Sequence, residues 1–583
     1  MRHRDLPAIA IIADAHYHDL EGDYGFEGVD VNGKRLAVRS WAETRASTRV
    51  FNESFRALPA ALDEIVDRGI RHVVLLGDYT DDGQRQTTDA VWRLLEEYRR
   101  AHRLSFYVIP GNHDVFGPHG RHQSKGFLSG SGSAVTVTSD EQVADSRPNA
   151  RLSKRMYCEG YPVGLLPMRA FGLFAQPVYH HWESPFGLSD SIQDRQYLVS
   201  SADGRSTFSL MDASYLVEPE EGLWLLMIDA NVFEPRNGHH DPFREETFID
   251  STAAGWNALL RLKPFLIDWI KNVHERAKIL GKTVLSFSHY PVIDPFDDTN
   301  GSEAALFGNT NMAKRTPSKV VADTLLDTGM TVHFSGHLHV EGTTRRSQEG
   351  RELVNIAVPS LVAFPPAFKI VQPGKNLPDV KTVGLSPLPL DPALIKLYRL
   401  ECASNGEMPD PAFDTQSYGA FLFAHTRALV THRYFPREWP PKIVEGVAKV
   451  NLAEIGLVML AAGSTDEVTT PHSAIPCRKM ALLEQECTRF CLSIEALSSN
   501  SMIDLVTDWY CLRQAGALAL PFISVERLAI YRLLTGRLLD QSPPAPPQTA
   551  GAFLQVFLHC LRRWLKRAGV EPHEGALLPS ASL

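Results

Sequence analysis

The sequence predicts an α/β protein followed by an all-α region, and three observations lead there. From the start to about residue 370, short apolar, β-branched runs alternate with longer stretches of helical spacing, as in a layered α/β domain. Each of those runs ends on a polar residue able to hold a metal. From about residue 415 onward the apolar residues recur only at three- and four-residue spacing.

The strand-like runs define the first region. Ala8 to Ala13 ends at Asp14, His72 to Leu76 at Gly77-Asp78, and Phe106 to Ile109 at Gly111-Asn112-His113-Asp114. Leu223 to Ile228 ends at Asp229-Ala230-Asn231, Thr283 to Phe287 at Ser288-His289, and Thr331 to Phe334 at Gly336-His337-Leu338-His339. Ser54 to Asp67 and Thr88 to His102 read as core-facing helices between them. The stretch from about 115 to 220 lacks this rhythm and is rich in Gly, Ser, Pro and aromatics, so it reads as an insertion rather than scaffold. After His339, Glu352 to Val362 reads as strand, Phe364-Pro365-Pro366 as its end, and the chain to about 390 as loop.

The helical region is expected at Tyr418 to Tyr434, Ile443 to Ala462, Lys479 to Leu497, Met502 to Ala515 and Val525 to Leu539. Ser542 to Pro547 reads as a stiff proline-rich linker before a last helix. The expected domains are therefore 1–400 with the insertion, 401–541, and 542–583 as linker, basic amphipathic helix and tail. A chain of 583 residues calls for more than one core, since single cores stop growing near ~250–300 residues.

Composition excludes several classes. With 44% hydrophobic and 22% charged residues the chain is neither disordered nor fibrous. Its 59 basic and 68 acidic residues give −9, no footprint for a nucleic-acid backbone. The apolar run Pro7 to Ala13 is too short for a signal peptide or a membrane span, and a cytoplasmic protein is expected. Of seven cysteines, six (Cys402, Cys477, Cys487, Cys491, Cys511, Cys560) lie in the last third without a Cys-x-x-Cys pair, which favours reduced thiols over disulfides or a zinc site.

The polar residues beyond the strands form the candidate site. Asp14 and His16, like His337 and His339, are two apart at a strand end, where side chains two apart share a face. The carboxylate of Asp78 can bridge two cations ~3.5–4 Å apart, the spacing of two-metal phosphatase and nuclease sites. Asn112 offers an amide oxygen, and His289, His337 and His339 offer imidazoles. Two carboxylates against two divalent ions leave the site positive, which attracts phosphate and acidifies a bound water. Mixed imidazole and oxygen donors suit Mn, Fe, Zn or Co.

Asp14-Ala-His16, Gly77-Asp78, Gly111-Asn112-His113-Asp114, His289 and Gly336-His337-Leu338-His339 resemble the signature blocks of the calcineurin-like metallophosphoesterase superfamily, over roughly residues 8 to 362. The resemblance implies a four-layer sandwich of two mixed β-sheets flanked by helices. It implies one metal on Asp14, His16, Asp78 and His339, and the other on Asp78, Asn112, His289 and His337. It further implies that His113 is the catalytic histidine near the leaving group and that Asp114 orients its ring. Gly77 to Gly83 is similar to the loop of bacterial cyclic-nucleotide and glycerophosphodiester phosphodiesterases, whose large members also carry an insert at this point.

The expected activity is hydrolysis of a small phosphodiester or phosphomonoester by hydroxide held on a dinuclear centre. Two alternatives remain: a nuclease, which the charge disfavours, and a scaffold protein with a vestigial metal site, which the complete ligand set disfavours. In the insertion, His119, Arg121, His122 and Lys125 are candidate substrate-binding residues, with a solvated loop as the plain alternative. The adjacent pairs His180-His181 and His239-His240 point to opposite faces of a strand and are left out. In the last helix Phe553, Val556, Phe557, Cys560, Leu561, Trp564 and Leu565 share one face, with Arg562, Arg563, Lys566 and Arg567 around it. That face either docks on the helical region or brings residues 552–568 to an anionic membrane surface.

Overall fold

The computed structural model describes residues 6–253, 255–296, 299, 301–308, 310–374, 377–461, 477–539 and 549–571. The chain divides into two compact units, one of residues 1–297 and 314–422, the other of residues 298–313 and 423–583. The first unit thus runs past residue 400, and a short segment near 300 belongs with the helices. The proline-rich linker and the tail lie outside the described residues.

The first unit is built on two mixed sheets. The five-stranded sheet has the order Asp379–Gly384, Ala367–Gln372, Ile9–Ile12, His72–Leu76, Ser105–Ile109. Ile9–Ile12, His72–Leu76 and Ser105–Ile109 run parallel, with Ile12 opposite Leu75 and Leu76 opposite Ile109. Their carboxyl ends therefore lie side by side, and so do Asp14, Asp78 and Asn112. These strands read as unbroken apolar runs because both faces are covered; Ile9 to Ile12 and Val73 to Leu76 are at most 1% exposed.

The seven-stranded sheet has the order Gly342–Gln348, Arg351–Ala357, Val332–Ser335, Thr283–Ser288, Leu223–Ile228, Tyr215–Glu220, His181–Glu183. Its central strands are parallel, so His289 and the His337 loop emerge at one edge. The helices Gly255–Leu262, Pro264–Leu280 and Lys319–Asp327 cover it through a core that includes Leu226, Ile228, Trp256, Ile270, Val273 and Leu325. Burying each such side chain contributes roughly 1.5–3 kcal/mol.

Two expectations are corrected. The segment to about residue 390 is not loop: Ala367–Gln372 pairs antiparallel with Ile9–Ile12 and Asp379–Gly384 extends the sheet. Pro365 and Pro366 hide this by breaking the pattern just before the strand. The stretch 115–220 is only partly an insertion, because Tyr215–Glu220 and His181–Glu183 are the last two strands of the seven-stranded sheet, with His181–Glu183 at its edge. The rest forms a small sheet, Ser124–Leu128, Ala134–Thr138 and Ala150–Leu152, and a ribbon, Gln196–Ser200 with Thr207–Met211.

The second unit is helical. Met502–Ala515 begins with a capping box, Ser501 and Asp504 each binding the other's backbone N–H. The expected helix Ile443 to Ala462 is two, Pro441–Val447 and Leu452–Ala461. Lys479 to Leu497 likewise divides into Cys477–Arg489 and Ile494–Ser498. The last helix, Ala550–Arg567, buries its apolar face within the unit: Phe553 lies against Trp439 and Phe307, and Phe557 against Trp439 and Trp509. Phe553, Phe557, Leu561, Trp564 and Leu565 are at most 5% exposed, so the docked alternative describes this face. No helix among the described residues is long and apolar enough to cross a membrane.

Candidate metal centre

Five of the residues that the sequence nominates as ligands adopt backbone conformations that side chains rarely tolerate. Asp14 (φ 50°), His16 (40°), Asp78 (51°), His337 (71°) and His339 (54°) all lie in the left-handed region. Non-glycine residues seldom do so, and each costs on the order of 1–3 kcal/mol, held only where the surroundings fix it. The strands supply that constraint through cross-links just beyond their ends. His16 N–H donates to Asp78 O (2.8 Å), Asp14 N–H to Gly77 O (3.1 Å), and Gly336 N–H to His289 O (2.9 Å).

Those turns gather two triads of donor atoms, Asp14, His16 and His339 on one side and Asp78, His289 and His337 on the other. All six residues are buried. His16 Nε2 and His339 Nε2 face each other at 3.2 Å, and both look onto Asp14 Oδ1, at 4.0 and 3.5 Å. Asp78 Oδ2 lies 3.2 Å from His289 Nε2 and 3.7 Å from His16 Nε2, so one carboxylate oxygen faces both triads. That is the placement a bridging ligand needs.

Two glycines are required by this closeness. A Cβ on Gly111 would stand 2.2 Å from Asp78 Oδ1, and one on Gly77 (φ 81°) would stand 2.4 Å from His289 Nδ1. No other residue leaves the ligands where they are.

The donor set fits two divalent cations. Asn112 Oδ1 and His337 Nε2 are buried without a hydrogen-bond partner, an expensive state for polar atoms unless something binds them. Their orientation is fixed from behind. His289 Nδ1 lies 2.9 Å from Leu76 O, and Asn112 Nδ2 donates to Thr252 Oγ1 at 2.8 Å. His337 N–H reaches both oxygens of Asp14, and His113 N–H donates to Asp78 Oδ1 at 2.8 Å. Such outer partners select the tautomer and the aim of a ligand.

The electrostatics agree. Burial pushes His16 well below the usual histidine value, with the Arg49 charge adding to it. Burial does the same at His337, helped by His289 and Arg315. Both rings therefore keep lone pairs for a cation. Burial opposes charge on Asp78, but His289, His113 and His16 reverse this and hold its carboxyl well below the usual range. Burial likewise opposes charge on His289, yet the Asp78 carboxylate lifts it to about 9, so binding a metal there displaces a proton.

His113 stands beside this cluster, its ring centroid 5.0 Å from that of His16. Its Nδ1 is hydrogen-bonded to Asp82 Oδ1, and not to Asp114 as expected. Asp114 is turned the other way. Its carboxylate accepts from the backbone N–H groups of Asp78 (2.7 Å), Gly111 (2.8 Å) and Thr80 (2.9 Å) and from the Thr80 hydroxyl (2.8 Å). Asp114 thus pins two ligand-bearing loops together, and Asp82 holds the histidine. The spacing of the Asn-His-Asp block hides this, because neighbours in sequence need not face each other.

Asp82 also ion-pairs with Lys125 and with Arg49 Nη2 (3.3 Å). These residues line a cleft of about 400 Å³ together with His113, Arg121, His122 and Glu245. Of the four insertion residues singled out in the sequence, Arg121, His122 and Lys125 reach the cleft. His119 does not line it; its ring stacks on Phe243, centroids 3.9 Å apart. Lys125 arrives on the strand Ser124–Leu128, and Arg121 pairs with Asp250 at 2.9 Å. Arg49 carries no motif signal, and no pattern finds it; Asn231 stands in the strand-end run Asp229-Ala230-Asn231 but is not among the nominated site residues. Asn231 Nδ2 donates to Gly111 O (3.1 Å), bracing the Asn112 loop from below.

Residues 7–160 match the model of the calcineurin-like phosphoesterase family. A search of curated proteins found no match. Among solved structures, the chain overlaps a dimetal phosphatase from Danio rerio with TM-score 0.31 and 14% identity, over 65% of this chain and 99% of that one. It overlaps a sulfate thiohydrolase from Thermus thermophilus with TM-score 0.27 and 12% identity, over 70% of this chain and 62% of that one. A phosphopantetheinyl hydrolase from Mycobacterium tuberculosis gives TM-score 0.23 and 10% identity, over 61% and 90%. Overlaps this low carry no argument of their own. The segment that matches the calcineurin-like phosphoesterase model contains Asp14, His16, Asp78 and Asn112 on the strand ends described above.

Proposed function

We propose that the protein is a metal-dependent hydrolase of small phosphomonoesters or phosphodiesters. The observation that carries this reading is the pair of buried triads sharing Asp78, with His113 at their edge and a cleft beyond it. Asp14, His16, Asp78 and His339 would hold one divalent cation, and Asp78, Asn112, His289 and His337 the other. When bound, the two cations supply positive charge against the phosphoryl oxygens and lower the pKa of a water toward neutrality. Mn, Fe, Zn or Co suits the donors.

The chain's own residues do the rest. His113 has Nδ1 engaged by Asp82, which leaves Nε2 to give a proton to the departing oxygen. Asp82 keeps that ring in place and is itself kept ionised: burial opposes its charge, but Lys125, Arg49 and His113 hold it well below the usual range. The cleft on the His113 side takes the leaving group. Its cations Lys125 and Arg121 are already paired with Asp82 and Asp250, which favours a polar leaving group over a second phosphate.

The test is a screen of bis-p-nitrophenyl phosphate, p-nitrophenyl phosphate, cyclic nucleotides and glycerophosphodiesters with Mn added. Hydrolysis of at least one class, abolished by chelator and restored by metal, is the expected result. Metal-loaded protein that hydrolyses none of them would remove the proposal.

A further inference from the structure

We infer that Arg49, which no motif marks, grips the phosphoryl group at the boundary between the metal centre and the leaving-group cleft. This inference rests on the function proposed above. Arg49 is only 7% exposed, yet it lines the cleft with His113, Asp82 and Lys125. The polar contacts of its guanidinium all leave from Nη2: to Asp81 O (2.7 Å), Asp81 Oδ1 (3.2 Å) and Asp82 Oδ2 (3.3 Å). Nε is buried with no hydrogen-bond partner. A guanidinium carries five N–H donors in a rigid fork, and this one uses a single nitrogen of it.

Among the other cations of the cleft, Arg121 resembles Arg49 in making its contacts from one nitrogen, Nη1, with Nε buried and unpartnered, but its partners lie on a different segment. Lys125 closes on Asp82, and Arg121 is held between Asp250 (2.9 Å) and Glu245 (3.7 Å). Arg39, behind Asp81, is 1% exposed and spends its two terminal nitrogens on Asp81 and Glu43. Arg49 differs in place. It contacts Asp82, the partner of His113, whose ring centroid lies 5.0 Å from that of His16, which sets it on the metal side of the cleft. A phosphoryl group bound at the two triads with its leaving oxygen toward His113 comes within reach of this side chain. The forked geometry of Arg suits a tetrahedral oxyanion, and Asp81 and Asp82 pre-position it at little entropic cost.

The experiment uses the full chain loaded with Mn, and reads metal content, binding of inorganic phosphate by calorimetry, and turnover of a nitrophenyl ester. Arg49→Gln and Arg49→Lys are compared with wild type. The expected result is metal content near wild type in Arg49→Lys, with phosphate binding weakened at least tenfold and kcat/KM lowered by a similar factor. Arg49→Gln should be weaker still. Phosphate affinity within twofold of wild type in metal-replete Arg49→Lys overturns the inference. Loss of metal in both variants also overturns it, because Arg49 would then act only through Asp81 and Asp82. Wild-type protein that takes up metal but hydrolyses nothing tells against the proposed function instead, and phosphate binding still decides the role of Arg49.

Discussion

Replacing Asp82 by Asn separates the residue that holds the histidine from the one that holds the metal loops. Asp82 Oδ1 is the partner of His113 Nδ1, and Oδ2 faces Lys125 and Arg49. The amide keeps the shape but turns one acceptor oxygen into an NH2 donor and removes one negative charge from a cluster in which Arg39, Arg49 and Lys125 balance Glu43, Asp81 and Asp82, so the hold on the His113 ring weakens. No candidate metal ligand loses a contact. General acid assistance is worth about 10²–10⁴-fold, so freeing the ring should cost about 10²-fold on an ester with an alkyl leaving group. That is about 2.7 kcal/mol of barrier. A nitrophenolate leaves with little help, and its ester should lose less than about tenfold on the same principle. Asp114→Asn should do the reverse. It turns an acceptor of four hydrogen bonds from the Asp78, Thr80 and Gly111 segment into a group that cannot satisfy them all, and bound metal should fall. Metal analysis and turnover of both esters on each variant read the contrast. Asp82→Asn that loses metal, or Asp114→Asn that keeps metal and shows the leaving-group effect, would refute the division of roles.

Other outcomes follow from the same geometry. His113→Ala should keep its metal and lose more activity on an alkyl or nucleotide ester than on a nitrophenyl ester; equal losses would mean that His113 positions the phosphate instead. Glu53, buried and pushed up to about 7 by that burial, accepts from Tyr398 Oη at 2.7 Å. Its raised value means the folded state binds the extra proton, so stability present at acid pH is lost as pH rises through 7. Wild type should therefore lose up to about 3 kcal/mol relative to Glu53→Gln between pH 5 and pH 8, and parallel stability curves would count against this. Phe557→Ala in the last helix should destabilise the helical unit by about 3–5 kcal/mol in denaturant unfolding, a loss that a solvent-facing side chain would not produce.

The strand ends were legible because a parallel strand buried on both faces reads as a pure apolar run. The first polar residue after it is then conspicuous, as at Asp14, Asp78 and His289. The helices Ser54–Asp67 and Met502–Ala515 were legible to the residue, since their apolar spacing ends where the structure does. Ala367–Gln372 was not, because its partner across the sheet is Ile9–Ile12 and nothing local signals a pairing so remote in sequence. The helix breaks near residues 448–451 and 490–493 were missed for a related reason: apolar spacing continues across them while the backbone turns. At the site, the ligand types were readable and their partners were not. Asp114 adjoins His113 in sequence but points away, while Asp82 faces it from another loop. Arg49 belongs to no pattern, and only folding brings it to the cleft.

The most direct test of the account is the metal stoichiometry of purified wild type and of Asp78→Ala after loading with Mn and dialysis. Asp78 Oδ2 faces both triads, so its loss leaves two cations without the anion between them. Two metal ions per chain in wild type and almost none in Asp78→Ala is the predicted result. Wild type that retains no metal, or Asp78→Ala that retains as much as wild type, would contradict the shared-carboxylate centre on which the proposed function stands.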